Sequence, residues 1–243
     1  MNILNSVFSP KLRLMAKSKV FDLIGIIIIV LVAWQSGYLF ENLNQVTHWG
    51  GMSVYIPFGI ISAFASVLSI MSTRLVGRFS NIGNWIGIPE IILSGTIDYL
   101  LGNKGAILTY PITFIIQTWA IKTWLNSEKY KARKPIKGTK GALLMTIILI
   151  GSLAFSLVVN KIGFGAITSS DASIFILTVF VFGISMTANI MNAMKLTVQW
   201  KFWLVYDFVQ FFKALSQGNF ANVGKYIYYV LMSLGGLAFW NRK

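Results

Sequence analysis

Cysteine is absent from these 243 residues, and histidine occurs once, at His48. Disulfides and thiolate chemistry are excluded, and a histidine-based metal site lacks further ligands of its own kind. Acid is scarce as well: seven Asp and Glu stand against 21 Lys and Arg, a net charge of +14. Charged residues make up 12% of the chain, where a soluble domain carries about 25%. There is no Gly-x-Ser-x-Gly elbow, no Gly-x-x-x-x-Gly-Lys-Ser/Thr phosphate loop and no Ser-His or Cys-His pairing. These absences argue against an enzyme, an ATP-driven pump and a resident cofactor. What is left is apolar: 56% hydrophobic residues and a mean hydropathy of +0.69. The chain reads as an all-α polytopic membrane protein.

Eight stretches have bilayer length, about 20 residues each: 21–39, 53–72, 84–101, 104–124, 141–160, 171–189, 198–214 and 223–240. The first has a long apolar core and no small-residue cleavage site, so it is expected to be kept as a helix. The third carries Pro89, Glu90 and Asp98 and reads as short, kinked or partly unwound; the seventh is short too. Gly-Asn follows both, at 102–103 and 218–219, a turn signal. Residues 125–140 form the one long polar connection.

The basic residues explain themselves by position. With a cytoplasmic N-terminus, 17 of the 21 Lys and Arg fall in cytoplasmic segments, leaving Lys104, Lys161, Lys213 and Lys225 outside. That asymmetry follows the positive-inside rule, so the charge implies no nucleic acid. The Lys122–Lys140 loop suits anionic membrane lipid as a secondary reading. Both termini are expected in the cytoplasm of a bacterial inner-membrane protein.

The chain matches itself at an offset of 116 residues: Gly102-Asn103 on Gly218-Asn219, Tyr110 on Tyr226, Trp124 on Trp240. Helices two to four map onto six to eight, leaving helix five as a linker. One extra crossing gives the two three-helix units the same orientation, as in transporters built from parallel repeats. The implied organisation is a basic N-terminus with an extra first helix (1–52), a first repeat (53–124), a loop and linker helix (125–160) and a second repeat (171–240).

Polar residues inside such spans are costly and normally face a bundle interior. Trp200, Trp203 and Asp207 stand at i, i+3 and i+7 and share one helical face. Two indoles and a carboxylate suit a flat, polar, cationic ligand; an interfacial tryptophan belt with a locally paired Asp207 is the plain alternative. Glu90, Ser94 and Asp98 form another face, with Asp98 at the outer interface or Glu90 paired with a base such as Arg78 as the competing reading. Gln117 is mid-span on helix four beside Tyr110, Phe114 and Trp124. Tyr226, Tyr229 and Ser233 line the matching face of helix eight, and Asn189 and Asn192 close helix six, lining an exit or capping the helix.

Asn81-x-x-Asn84-Trp85, Trp200-x-x-Trp203-x-x-x-Asp207 and the Tyr226…Trp240 ending resemble the PnuC family of bacterial vitamin transporters, related in fold to the SWEETs. The resemblance covers about residues 50–240. It implies a three-plus-one-plus-three fold and facilitated uptake of nicotinamide riboside for NAD biosynthesis, by alternating access, with a cytoplasmic kinase trapping the vitamin. Thiamin, riboflavin or a deoxynucleoside are alternative cargoes, and a non-transporting membrane receptor is an alternative of another class. Carried over, Trp200 and Trp203 would stack on the ring, Asn84 and Gln117 would hydrogen-bond it, and Asp207 and Tyr226 would complete the wall. Glu90, Ser94, Asn189, Tyr229 and Ser233 are secondary candidates. No metal ligand is implied, and assembly into a homo-oligomer is compatible with the size.

Overall fold

Four sharp turns set the architecture, and they come in two pairs. Helices two and six each end on a non-glycine residue with left-handed backbone, Phe79 (φ 63°) and Lys195 (φ 57°), 116 positions apart. Helices three and seven end on left-handed Gly102 (φ 91°) and Gly218 (φ 66°), again 116 apart. Each turn closes with the same two bonds. Ser80 N–H donates to Leu75 O and Phe79 N–H to Val76 O, matched by Leu196 to Met191 and Lys195 to Asn192. Asn103 N–H donates to Asp98 O and Gly102 N–H to Tyr99 O, matched by Asn219 to Ala214 and Gly218 to Leu215. This is the Schellman stop, which satisfies carbonyls that a helix end leaves orphaned. The repeat is therefore structural as well as sequential.

The computed structural model describes residues 17–42, 57–125 and 138–240, and Leu14. Eight helices occur among them: α1 Lys19–Gln35, α2 Phe58–Gly77, α3 Asn81–Leu100, α4 Ala106–Leu125, α5 Gly138–Phe164, α6 Ala172–Ala193, α7 Gln199–Ser216 and α8 Phe220–Trp240. His48, Trp49, residues 53–56 and the basic loop 126–137 lie outside the described residues, as does most of the basic lead-in.

Packing arranges six of the helices in a ring, in the order α2, α3, α4, α6, α7, α8 and back to α2. Each three-helix repeat supplies half of it. The two repeats meet at two seams, α2 against α8 and α4 against α6. The outriggers obey the same pseudo-symmetry: α5 packs on α6 and α4, and α1 packs on α8 and α2. The extra first helix thus stands to the first repeat as the linker stands to the second. Asp22 staples α1 in place, accepting bonds from Arg74 of α2 and from Arg78, which caps it.

Two expectations need correcting. α3 runs unbroken for 20 residues through Pro89, because its neighbours α2 and α4 hold it on both sides while the proline removes a single hydrogen bond. Arg78 pairs with Asp22, so it is not available to Glu90. Lys213 and Lys225 lie in α7 and α8, within the expected spans, and are buried. Of the eight helices, α2, α5 and α6 are long and apolar enough to cross a membrane by composition alone. α3, α7 and α8 are diluted by the polar and charged groups they turn into the ring.

Candidate functional site

The ring encloses a cavity of about 160 Å³. One water needs about 10–15 Å³ on this measure, so a ligand the size of a nucleoside is within reach. Helices α3 and α7 are not packed neighbours; they face one another across the space, joined by side chains. All six principal candidates line it: Asn84, Gln117, Trp200, Trp203, Asp207 and Tyr226. So do the five secondary ones, Glu90, Ser94, Asn189, Tyr229 and Ser233.

The end nearest the Phe79 and Lys195 turns is built from amides. Gln117 Nε2 donates to Asn84 O (2.8 Å) and sits 3.4 Å from Asn84 Oδ1. Asn84 Nδ2 reaches Asn81 Oδ1 (2.9 Å), and Asn192 Nδ2 reaches Asn84 Oδ1 (3.1 Å). Gly87 makes this possible, since a Cβ there would stand 2.6 Å from Gln117 Nε2. Asn192 Oδ1 is buried on the cavity wall with no hydrogen-bond partner among the described residues. An orphaned buried acceptor is expensive and invites a donor.

Trp200 is 1% exposed and lies in an apolar cluster with Val76, Phe79 and Trp124. Its indole lies flat against Gly236, where a Cβ would come within 2.5 Å of the ring. It therefore floors the cavity, and the roles of the two tryptophans divide: Trp203 is the one whose ring is half-buried and available. Trp203 begins an edge-to-face chain through Tyr206 (5.2 Å), Tyr226 (6.0 Å) and Tyr229 (5.9 Å). The equivalent of Trp203 in the first repeat is Gly87, and that of Trp200 is Asn84. Bulk on one repeat thus corresponds to small and amide groups on the other, and all four positions line the cavity.

The carboxylates are held separately. Asp207 accepts from Ser233 Oγ (2.6 Å) and Glu90 from Ser94 Oγ (2.8 Å). Asp98 is buried within the protein: Lys213 Nζ lies 2.6 and 2.7 Å from its two oxygens, and Asn103 (2.6 Å), Gln217 (2.9 Å) and Tyr110 (3.3 Å) donate to it as well. This network ties α3 to α7 at the glycine-turn end, so the third member of the Glu90 face is a structural tie. Trp85 is 56% exposed, and Phe114 points outward too; neither reaches the cavity.

Tyr206, Gln210, Lys213 and Lys225 line the cavity without having been singled out. The first three extend the stripe of Trp203 and Asp207 at i+3 and i+7 spacing, a signal present in the sequence. Gln210 Nε2 donates to Tyr206 Oη (2.8 Å) and braces that wall.

Residues 59–242 match the family model described as nicotinamide mononucleotide transporter. The chain belongs to that family. No curated protein matches its sequence. Among solved structures it is similar to one described as "Crystal structure of the Vitamin B3 transporter PnuC", at 14% identity and a TM-score of 0.68, covering 98% of this chain and 97% of that one. At that identity the likeness carries the fold, and the fold is the PnuC one: a multi-pass membrane transporter with two parallel three-helix repeats and a linker.

Proposed function

We propose that this protein is a facilitator that takes up nicotinamide riboside across a bacterial inner membrane, with both termini in the cytoplasm. The observation that carries the reading is a ligand-sized cavity lined by the Trp203 indole and by an unpartnered amide acceptor, Asn192 Oδ1. A flat ring stacks on the indole, and its carboxamide N–H donates to Asn192. The charges agree with a monocation. Glu90, Asp98 and Asp207 stand against Lys213 and Lys225 on the cavity wall, one negative charge in excess when all are ionised. Trp200, Asn84, Gln117 and Tyr226 shape and brace the cavity.

Alternating access would move one repeat against the other around this site, and phosphorylation by a cytoplasmic kinase would trap the product. Thiamin is the competing cargo, because it too is a flat cation. The test is binding by purified protein to nicotinamide riboside, nicotinamide mononucleotide, thiamin, riboflavin and deoxynucleosides, read by tryptophan quenching. The riboside is expected to bind selectively, and Trp203→Ala to weaken it by a factor on the order of ten or more, since base–aromatic stacking contributes about 1–3 kcal/mol. Preference for another ligand would replace the cargo; no binding by folded protein would overturn the transport reading in favour of a receptor.

A further inference from the structure

Lys225 is the sixth residue of α8, is 3% exposed and lines the cavity. Its ammonium sits 4.7 Å from the ring centroid of Tyr226. Among the described residues it makes no ion pair and no hydrogen bond to a side chain or carbonyl. The cavity's other lysine, Lys213, is fully engaged by Asp98. Glu90 and Asp207 act on Lys225 through their fields, yet each is bonded to a serine. The repeat does not require a lysine here, since the equivalent position in α4 is Thr109.

A buried ammonium without an acceptor is a costly group, and long basic side chains normally escape to water when they can. Lys225 does not escape; it stays inside a ligand-sized space with its three donors unused. Its depth is informative. Asn84, Asn192 and Trp200 stand within five residues of Phe79 and Lys195, whereas Lys225 lies near the opposite, glycine-turn end. A ligand whose ring stacks on Trp203 therefore extends its other end toward Lys225.

We propose that Lys225 is a specificity-determining residue that donates hydrogen bonds to the hydroxylated sugar of a cationic nucleoside, with Glu90 accepting from the same sugar. The assignment rests on the riboside reading above and adds the subsite that separates a nucleoside from its free base and from its phosphate ester. A phosphate dianion at this end would meet one unpaired ammonium and two carboxylates outside ion pairs, so the unphosphorylated sugar is the better match.

The test compares three ligands on wild type and on Lys225→Gln, by tryptophan quenching: nicotinamide riboside, 1-methylnicotinamide and nicotinamide mononucleotide. 1-Methylnicotinamide keeps the cationic ring and lacks the sugar. Lys225→Gln is expected to weaken the riboside at least tenfold and to leave 1-methylnicotinamide within twofold, which also certifies the fold. Glu90→Gln is expected to weaken the riboside about threefold with the same ligand selectivity, and serves if Lys225→Gln does not fold. Equal changes in riboside and 1-methylnicotinamide, or no change in either, would overturn the sugar contact while leaving the cargo reading intact. A wild type that prefers the mononucleotide, with the preference lost in Lys225→Gln, would make this a phosphate subsite and overturn the proposal. Failure of wild type to bind the riboside at all would remove the cargo reading and this assignment together.

Discussion

The two seams between the repeats occupy equivalent places in the ring but are made differently. Across α2 and α8, Ser62 Oγ donates to Asn219 Oδ1 (3.1 Å), Ser66 Oγ to Asn222 Oδ1 (3.0 Å) and Thr73 Oγ1 to Tyr229 Oη (3.1 Å). Moved by 116 positions, these pairs become Thr178 with Asn103, Phe182 with Ala106 and Asn189 with Thr113. None of those forms a bond. Thr178 Oγ1 and Asn103 Oδ1 are both buried with no partner among the described residues. The α4–α6 seam is joined instead near its far end, where Trp124 Nε1 donates to Asn192 O (3.0 Å). The same backbone frame thus carries one seam bonded along its length and one bonded near its ends, by Trp124 to Asn192 and by Lys104 to Asp171. The two-fold frame is broken in its side chains, at the seams as well as at the Trp203–Gly87 pair of positions.

The largest effect is expected where the repeats are tied across the cavity rather than along a seam. Asp98 and Lys213 are both buried and bonded to each other at the glycine-turn end. Removing one partner leaves an uncompensated charge, so Asp98→Asn or Lys213→Met should each cost about 3–5 kcal/mol. The double variant should recover most of that loss. Thermal unfolding in one detergent measures all three, and additive losses in the double variant would contradict a direct pair.

The next effect separates the seams directly. Ser62→Ala should cost about 1 kcal/mol, the usual net value of one buried hydrogen bond. Thr178→Val, at the equivalent position, removes a hydroxyl that already lacks a partner and keeps the shape, so it should be neutral or stabilising. Equal losses at the two positions would mean that the seams are energetically alike despite their different bonds.

Most of the fold was legible because it is written in period and punctuation. The eight apolar stretches, Gly102 and Gly218, and the 116-residue offset are local signals that survive without any knowledge of contacts. Span ends were less legible. α2 runs five residues beyond the expected end, to Gly77, because Thr73, Arg74 and Val76 are polar or ambiguous as sequence yet point at Tyr229, Asp22 and Trp200. The cavity face was legible for the same periodic reason, and Trp203, Asp207 and Gln117 needed no structure to be singled out. Partnership was not. Positive-inside counting only set Lys213 and Lys225 apart from the cytoplasmic charges, since it reads charge along the chain and cannot see Asp98 on another helix. Trp200 and Trp203 look equivalent as sequence, and only Gly236, 33 residues or more away, turns one of them into a floor.

The smallest effect belongs to an exposed charge pair at the outer end of the α4–α6 seam. Lys104 Nζ lies 2.9 Å from Asp171 Oδ2, ahead of α6, with the lysine side chain well exposed. The bond from Lys104, and then that from Thr168, holds the Asp171 carboxyl below the ordinary carboxylate value. A carboxyl lowered on folding contributes stability that is present above its ordinary value and lost as pH falls through the lowered one. In water the pair is screened, so its contribution is small and salt-dependent. Asp171→Asn is therefore expected to leave the melting temperature at neutral pH nearly unchanged, and to flatten slightly the decline in stability between the ordinary carboxylate range and more acidic solution. A loss at Asp171→Asn as large as that at Asp98→Asn would mean that this exposed bridge, and not the buried one, holds the repeats in register.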